Sequence, residues 1–155
     1  EVKSVLDIGC AYGHALQWFS QNGLCTIMGV EGDPECIKGS LVPGQIIEHD
    51  FTKGPAPIAQ PFDLCWCAEF VEHVQEKFIP NYMPAFQLCR HVIMTHAEPG
   101  QAGHHHVTLK TTSWWLHKMK EYGFEFDEYN TALLRRTDRW KAIWGRRTLC
   151  VFHNL

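Results

Sequence analysis

Several absences narrow the reading of this sequence. No run approaches about 18 consecutive apolar residues, so a helical membrane span is not expected. The chain shows no basic-then-apolar leader, although it opens at Glu1 without Met, so a trimmed leader stays open; the expected location is the cytoplasm. The seven cysteines, at positions 10, 25, 36, 65, 67, 89 and 150, include no Cys-x-x-Cys pair. An odd, dispersed set fits neither a disulfide framework nor a zinc ribbon, and most are expected to be buried small apolar side chains.

Strong net charge is missing as well. A formal charge of −3, beside six Trp, four Tyr and nine Phe in 155 residues, excludes disorder as the main state and leaves room for one globular domain. Residues 1–134 carry 8 Lys and Arg against 16 Asp and Glu, whereas residues 135–155 carry six basic residues against Asp138. An acidic body with a short basic end argues against broad nucleic-acid binding, and no DNA partner is expected.

What the chain does have is alternation of short apolar runs with helical segments. Strands are predicted at 4–9, 26–31, 45–50, 62–68 and 91–97, and helices at 14–22 and from Pro34. The run from Glu69 through His91 reads as helix in two pieces, broken near Pro80 and Pro84. A further helix spans about 113–121 with Thr112 as N-cap, and 124–134 and 147–153 read as two late strands. Near-continuous apolar strands joined this way point to an α/β fold: a Rossmann-like, seven-stranded, mostly parallel sheet with one antiparallel strand and helices on both faces. Its ligand belongs beyond the carboxyl ends of the strands.

Those strand ends carry the chemistry. After the first stands Asp7-Ile8-Gly9-Cys10-Ala11-Tyr12-Gly13, whose small residues let a ligand approach the backbone. It matches neither Gly-x-Gly-x-x-Gly nor Gly-Lys-Ser/Thr, so neither a dinucleotide nor a nucleoside triphosphate is the natural guest. Glu31, after the second strand, is placed to accept both hydroxyls of a ribose. Asp50 and Phe51, after the third, offer an acceptor and a flat ring where an adenine can lie. Together these make a nucleoside site.

With these residues the sequence resembles the class I S-adenosylmethionine-dependent methyltransferases, on the runs 5–10, 29–34, 49–50, 62–64 and 72–74, across nearly the whole chain. The resemblance implies a single domain, 1–155, without the helical cover that in the family precedes the first strand. It puts Asp7, Gly9 and Ala11 beside the methionine part of the cofactor, Glu31 at the ribose, Asp50 and Phe51 at the adenine, and Cys67 and Ala68 near the sulfonium. Gly13 and Gly32, in the same loops, complete the cofactor candidates. Ala11 stands where the family carries its middle glycine, and Gly32 brings no apolar side chain to the adenine.

On the acceptor side, Cys67-Ala68-Glu69-Phe70 replaces the Asp/Asn-Pro-Pro-aromatic run of base methylation, so oxygen is favoured as acceptor. Read as the opening of a helix, Glu69, Glu72 and His73 share one face and suit a divalent cation such as Mg²⁺. The run Gly103-His104-His105-His106 brings further imidazoles. The arrangement resembles metal-assisted 2′-O-methyltransferases of small-RNA ends and ubiquinone-pathway O-methyltransferases. The candidate metal ligands are Glu69, Glu72, His73 and His106, and the candidate general bases are His73, His105 and His106. A basic patch with Trp140 and Trp144 reads either as a phosphate or sugar-nucleotide contact or as a solvated hairpin.

The leading expectation is O-methylation of a small-molecule or glycan hydroxyl, with S-adenosylhomocysteine as product. The alternatives are an RNA-end 2′-O-methyltransferase and a cofactor-binding module without its own acceptor site. Oligomeric state is left open.

Overall fold

Apolar side chains on both faces of a strand require cover on both faces, and the first strand meets that requirement. In the computed structural model, which describes residues 1–24, 26–137 and 146–155, β1 (Ser4–Ile8) is buried along nearly its whole length. It pairs in parallel with β2 (Thr26–Glu31) on one side and β4 (Phe62–Cys67) on the other. The seven strands run in the order β3-β2-β1-β4-β5-β7-β6, with β3 at Ile46–Glu48, β5 at Cys89–Met94, β6 at Phe124–Phe126 and β7 at Cys150–Asn154. Only β7 runs against its neighbours, β5 and β6, as the sequence reading expects.

Among the described residues the strands are joined by α1 (His14–Gln21), α2 (Pro34–Lys38), α3 (Ile79–Gln87), α4 (Thr112–Glu121) and α5 (Glu128–Arg135). Three of them start where a side-chain oxygen satisfies a free amide. Asp33 accepts from the Glu35 N–H at 2.9 Å, Thr111 from Trp114 at 3.2 Å and Asp127 from Asn130 at 2.8 Å.

The two sheet faces are filled unequally. On one, Leu6, Ile8, Tyr82, Phe86, Trp115, Met119, Phe124 and Phe152 belong to a large buried cluster. On the other, Val5, Cys10, Leu16, Val42 and Leu64 form a small one, flanked by half-buried Phe19, Trp66 and Ile93. Trp115 is core, whereas Trp114 is half-exposed between the ammonium groups of Lys110 and Lys118. Five of the six described cysteines are buried and all six are free thiols. No described helix is long and apolar enough to cross a membrane.

Four sequence expectations are corrected. The segment 124–134 is not one strand: Phe124 and Phe126 alternate, but the Asp127 cap then starts α5. The cap of α4 is Thr111 rather than Thr112. No helix opens at Glu69, whose backbone is left-handed with φ +56°; two 3₁₀ turns, Val71–His73 and Glu76–Phe78, precede α3. Pro80 sits in the first turn of α3, where no helical partner for its missing N–H is needed, and Pro84 is carried inside the helix without ending it.

In the late basic segment, the Arg135 Nε–H donates to the Leu149 carbonyl at 2.7 Å and ties α5 to β7. Asp138, Arg139, Trp140, Lys141 and Trp144 lie outside the described residues. The strand order reverses between β1 and β4, and beyond the carboxyl ends of these strands lies the main cleft.

Candidate active site

The loop after β1 alternates left-handed residues: Gly9 at φ +74°, Ala11 at +46° and Gly13 at +80°. This alternation folds the backbone back on β2, so that Gly9 and Cys10 N–H both donate to the Val30 carbonyl, at 2.9 and 3.2 Å. A Cβ on Gly9 would stand 2.5 Å from the Phe70 ring, so only glycine fits beneath that ring.

Glu31 closes the end of β2 with its carboxylate held by backbone amides. Oε2 accepts from Ala11 at 2.8 Å, and Oε1 accepts from Gly32 and Asp33 at 2.8 and 2.9 Å. A carboxylate has about four acceptor sites, so one is left for a ligand hydroxyl. Asp50 accepts from the Thr52 N–H at 2.8 Å, and hydrogen bonding from Thr52, its hydroxyl first and its N–H second, holds the carboxyl below the usual range. Phe51 is buried as the floor, edge-on to His49, Phe70 and Tyr82.

These groups line one cleft of about 620 Å³. Of the cofactor candidates it exposes Gly9, Ala11, Glu31, Gly32, Asp50 and Phe51. Asp7, Gly13, Cys67 and Ala68 do not line it. Asp7 lies buried under the loop, where desolvation, with the Glu31 charge adding, pushes its carboxyl up to about 8. Gly13 begins α1 and faces Val42, and the Cys67 thiol is fully buried. Sequence reading assigned no role to Phe70 and Val74, which lie in runs it singled out, and missed Cys36, Gln75 and Phe78, which carry no motif of their own; all five line the cleft.

At the far end of the cleft, which Glu69 and His73 line and Glu72 and His106 do not, Glu69, Glu72 and His73 do not share a helix face. Glu69 exchanges two bonds with Thr95: its N–H donates to Thr95 Oγ1 at 2.8 Å, and that hydroxyl donates to Glu69 Oε1 at 3.0 Å. The left-handed backbone there costs roughly 1–2 kcal/mol, which the surrounding contacts must offset. Glu72 is fully buried, and neither carboxylate oxygen has a hydrogen-bond partner among the described residues. Burial first, and the Glu69 charge second, push its carboxyl up to about 7.

The histidine loop reaches this turn through the backbone. Val107 and Thr108 N–H both donate to the Glu72 carbonyl, at 2.9 and 3.0 Å, and Thr108 Oγ1 donates to the Val74 carbonyl at 2.7 Å. Burial holds the His73 imidazole below its usual value. His106 lies 5.1 Å from His73, ring to ring, over Gly103, where a Cβ would come within 2.1 Å of the imidazole. One ligand atom each from Glu72, His73 and His106 lie within 4.8 Å of one another. Glu69, also expected as a ligand, is not in that group. His105 is left-handed, exposed and lines the cleft.

The methyltransferase-domain family model matches residues 1–123. The chain belongs to that family. It is an S-adenosylmethionine-dependent methyltransferase of the class I, Rossmann-like fold, and solved structures of such enzymes superpose on it at low identity. The methyltransferase domain of a bacterial CtHen1-C matches with TM-score 0.68 and 15% identity, over 99% of this chain and 90% of that one. Magnesium protoporphyrin IX methyltransferase from Synechocystis PCC 6803, with bound S-adenosylhomocysteine, matches with TM-score 0.68 and 14% identity, over 97% and 74%. A TehB-like methyltransferase from Corynebacterium glutamicum matches with TM-score 0.68 and 17% identity, over 100% and 82%. A comparison with the curated proteins gave no match.

The methyltransferase thus carries a cleft with two chemically different ends. The Glu31 end, with carboxylates and a buried aromatic floor, fits the nucleoside of S-adenosylmethionine. The Glu72 end, a desolvated carboxyl group without a partner beside imidazole nitrogens, fits a divalent cation, because a buried charge is stable only when paired or coordinated.

Proposed function

We propose that this methyltransferase transfers the methyl group to a hydroxyl of a small molecule or glycan, assisted by a divalent cation. The observation that carries the reading is Glu72: two buried, unpartnered carboxylate oxygens beside His106 and beside His73, which lines the part of the cleft left over once a nucleoside lies at Glu31. The acidic body of the chain favours such an acceptor over a nucleic acid.

In this reading Glu31 accepts from one ribose hydroxyl rather than both, Asp50 accepts from the adenine, and Gly9 and Ala11 let the methionine part approach the backbone. S-adenosylmethionine supplies its methyl on a sulfonium, so transfer is an in-line displacement, and alignment of the acceptor oxygen with that carbon governs the rate. Glu72, His73 and His106 would hold the cation, whose Lewis acidity would ease loss of the acceptor hydroxyl's proton to solvent as the methyl group is transferred. Phe70, Val74 and Phe78 line the cleft with apolar surface that excludes water from the acceptor.

The test is release of S-adenosylhomocysteine from the purified protein with S-adenosylmethionine, Mg²⁺ or Mn²⁺, and in turn a catechol, an oligosaccharide and a short RNA. Turnover on a catechol or oligosaccharide that EDTA stops and Mn²⁺ restores supports the reading. Turnover on RNA alone transfers the proposal to RNA ends. EDTA-insensitive turnover that is lost in His105→Ala assigns the proton to that imidazole and removes the cation.

A further inference from the structure

Away from the cleft, the sheet lines up a second set of metal-ligating side chains. The register puts them in one row: Leu64 of β4 pairs with His91 of β5, His91 with His153 of β7, and His153 with Glu125 of β6. Directly opposed residues share a sheet face, and Leu64 belongs to the small cluster, so both imidazoles and the Glu125 side chain stand on the less filled face. The row crosses the amino-terminal halves of β4 and β5, whereas the cleft lies beyond their carboxyl ends.

The two rings are disposed for ligation. Nδ1 of His91 lies 2.8 Å from Nδ1 of His153, so one proton is shared between the two nitrogens. The other nitrogen of His153, Nε2, faces the Asp127 carboxylate, which is itself fixed by the N–H and the side-chain amide of Asn130. That acceptor keeps the His153 proton on Nε2 and leaves the Nδ1 lone pair turned toward His91. Carboxylates orient imidazole ligands in metal sites in this way. Two nitrogens bound side by side on one ion at about 2.0–2.1 Å stand roughly 2.8–3.4 Å apart, a range that the observed spacing already meets. Glu125 is exposed on its three-residue strand, so its carboxylate is free to turn onto the pair.

We propose that His91, His153 and Glu125 form a second metal site, for Zn²⁺, that pins β5, β7 and β6 together. Two imidazoles and one carboxylate are a donor set that Zn²⁺ favours, with water in the fourth position. The ion takes both Nδ1 atoms, and the proton that His91 held there moves to its own Nε2. The His153 side chain is 39% exposed, which gives the ion a path from solvent. This site shares no residue with Glu72, His73 and His106 and does not depend on the cation reading there.

Zn²⁺ alone is the probe, and H106A is the reference protein, so that the cleft does not compete for the ion. Calorimetry is run on H106A and on H91Q, H153Q and E125Q made in that background. The expected loss of Zn²⁺ affinity is tenfold or more for either imidazole variant and several-fold for E125Q. S-adenosylhomocysteine affinity is expected to stay at the H106A value throughout, which reports a folded chain. Amide NMR spectra of H106A need no substitution at the site: Zn²⁺ is expected to shift the resonances of 91, 125 and 153.

Zn²⁺ affinity within twofold of H106A in H91Q or H153Q overturns the inference, and so does saturation that leaves the amides of 91, 125 and 153 in place. An unchanged affinity in E125Q overturns the three-ligand site. Absence of Zn²⁺ binding by H106A overturns the inference alone and leaves the reading at Glu72 to its own test.

Discussion

Each end of the cleft pairs a buried carboxyl with a more exposed one, and the two pairs are wired differently. At the nucleoside end Asp7 lies beneath Glu31, and Glu31 is held by three backbone amides. At the acceptor end Glu72 lies beside Glu69, and its oxygens meet no donor among the described residues while two imidazoles stand close. Backbone amides suit a fixed partner of modest charge, such as a ribose. An undonated carboxyl group beside imidazole nitrogens suits a concentrated positive charge. Glu31 is held by amides no more than 20 residues away in the chain, whereas the turn that carries Glu72 is held by a loop more than 30 residues further on.

The largest expected effect separates the two buried acids by pH. The Asp7 carboxyl is pushed up from 3.8 to about 8, chiefly by burial, so between these values the folded chain keeps a proton that the unfolded chain has released. The stability tied to that proton is full below about pH 4, falls as pH rises toward 8 by up to about 1.4 kcal/mol per unit, and levels off beyond. In Asp7→Asn, denaturant unfolding is expected to lose most of this slope; an unchanged slope would show that Asp7 titrates normally.

Next comes Phe51→Ala, which empties the floor shared by His49, Phe70 and Tyr82 and is expected to cost about 3–5 kcal/mol in urea unfolding. Because this ring supports the nucleoside end, Mn²⁺ affinity is expected to suffer less than S-adenosylhomocysteine affinity.

A reciprocal pair then sharpens the comparison. Glu31→Ala removes charge-assisted hydrogen bonds worth about 1.5–3 kcal/mol, so S-adenosylhomocysteine is expected to bind roughly ten- to a hundredfold more weakly by calorimetry, with Mn²⁺ binding intact. His106→Ala is expected to do the opposite. If each variant damaged both ligands equally, the two ends would be one site. The smallest effect is Thr111→Ala, expected to lower stability by about 1 kcal/mol through the lost cap of α4 while leaving both affinities unchanged.

The nucleoside end was legible because its parts are local. Gly9, Ala11 and Gly13 alternate in the sequence as they alternate in backbone conformation, and Glu31 and Asp50 each end an apolar run. The parallel sheet was legible for the same reason, since strands buried on both faces show as continuous apolar runs. What the sequence hid depends on partners far along the chain. Glu69-x-x-Glu72-His73 has helical spacing, but Thr95 holds Glu69 in a conformation that no helix allows. The segment 124–134 looked like a strand because Phe124 and Phe126 alternate; Asp127, with a free amide three residues on at Asn130, was the signal for the helix that follows. Asp7 and Cys67 have the right neighbours in sequence, but the strands bury them below the cleft.

The double bond from Val107 and Thr108 to the Glu72 carbonyl has a kinetic side. Val107 is 42% exposed and belongs to a surface loop, a place where amide hydrogens usually exchange with solvent quickly. Here neither amide can exchange unless the loop leaves the turn that carries Glu72 and His73. Exchange at 107 and 108 therefore counts openings of the acceptor end, and it does so on protein that has never met a methyl acceptor.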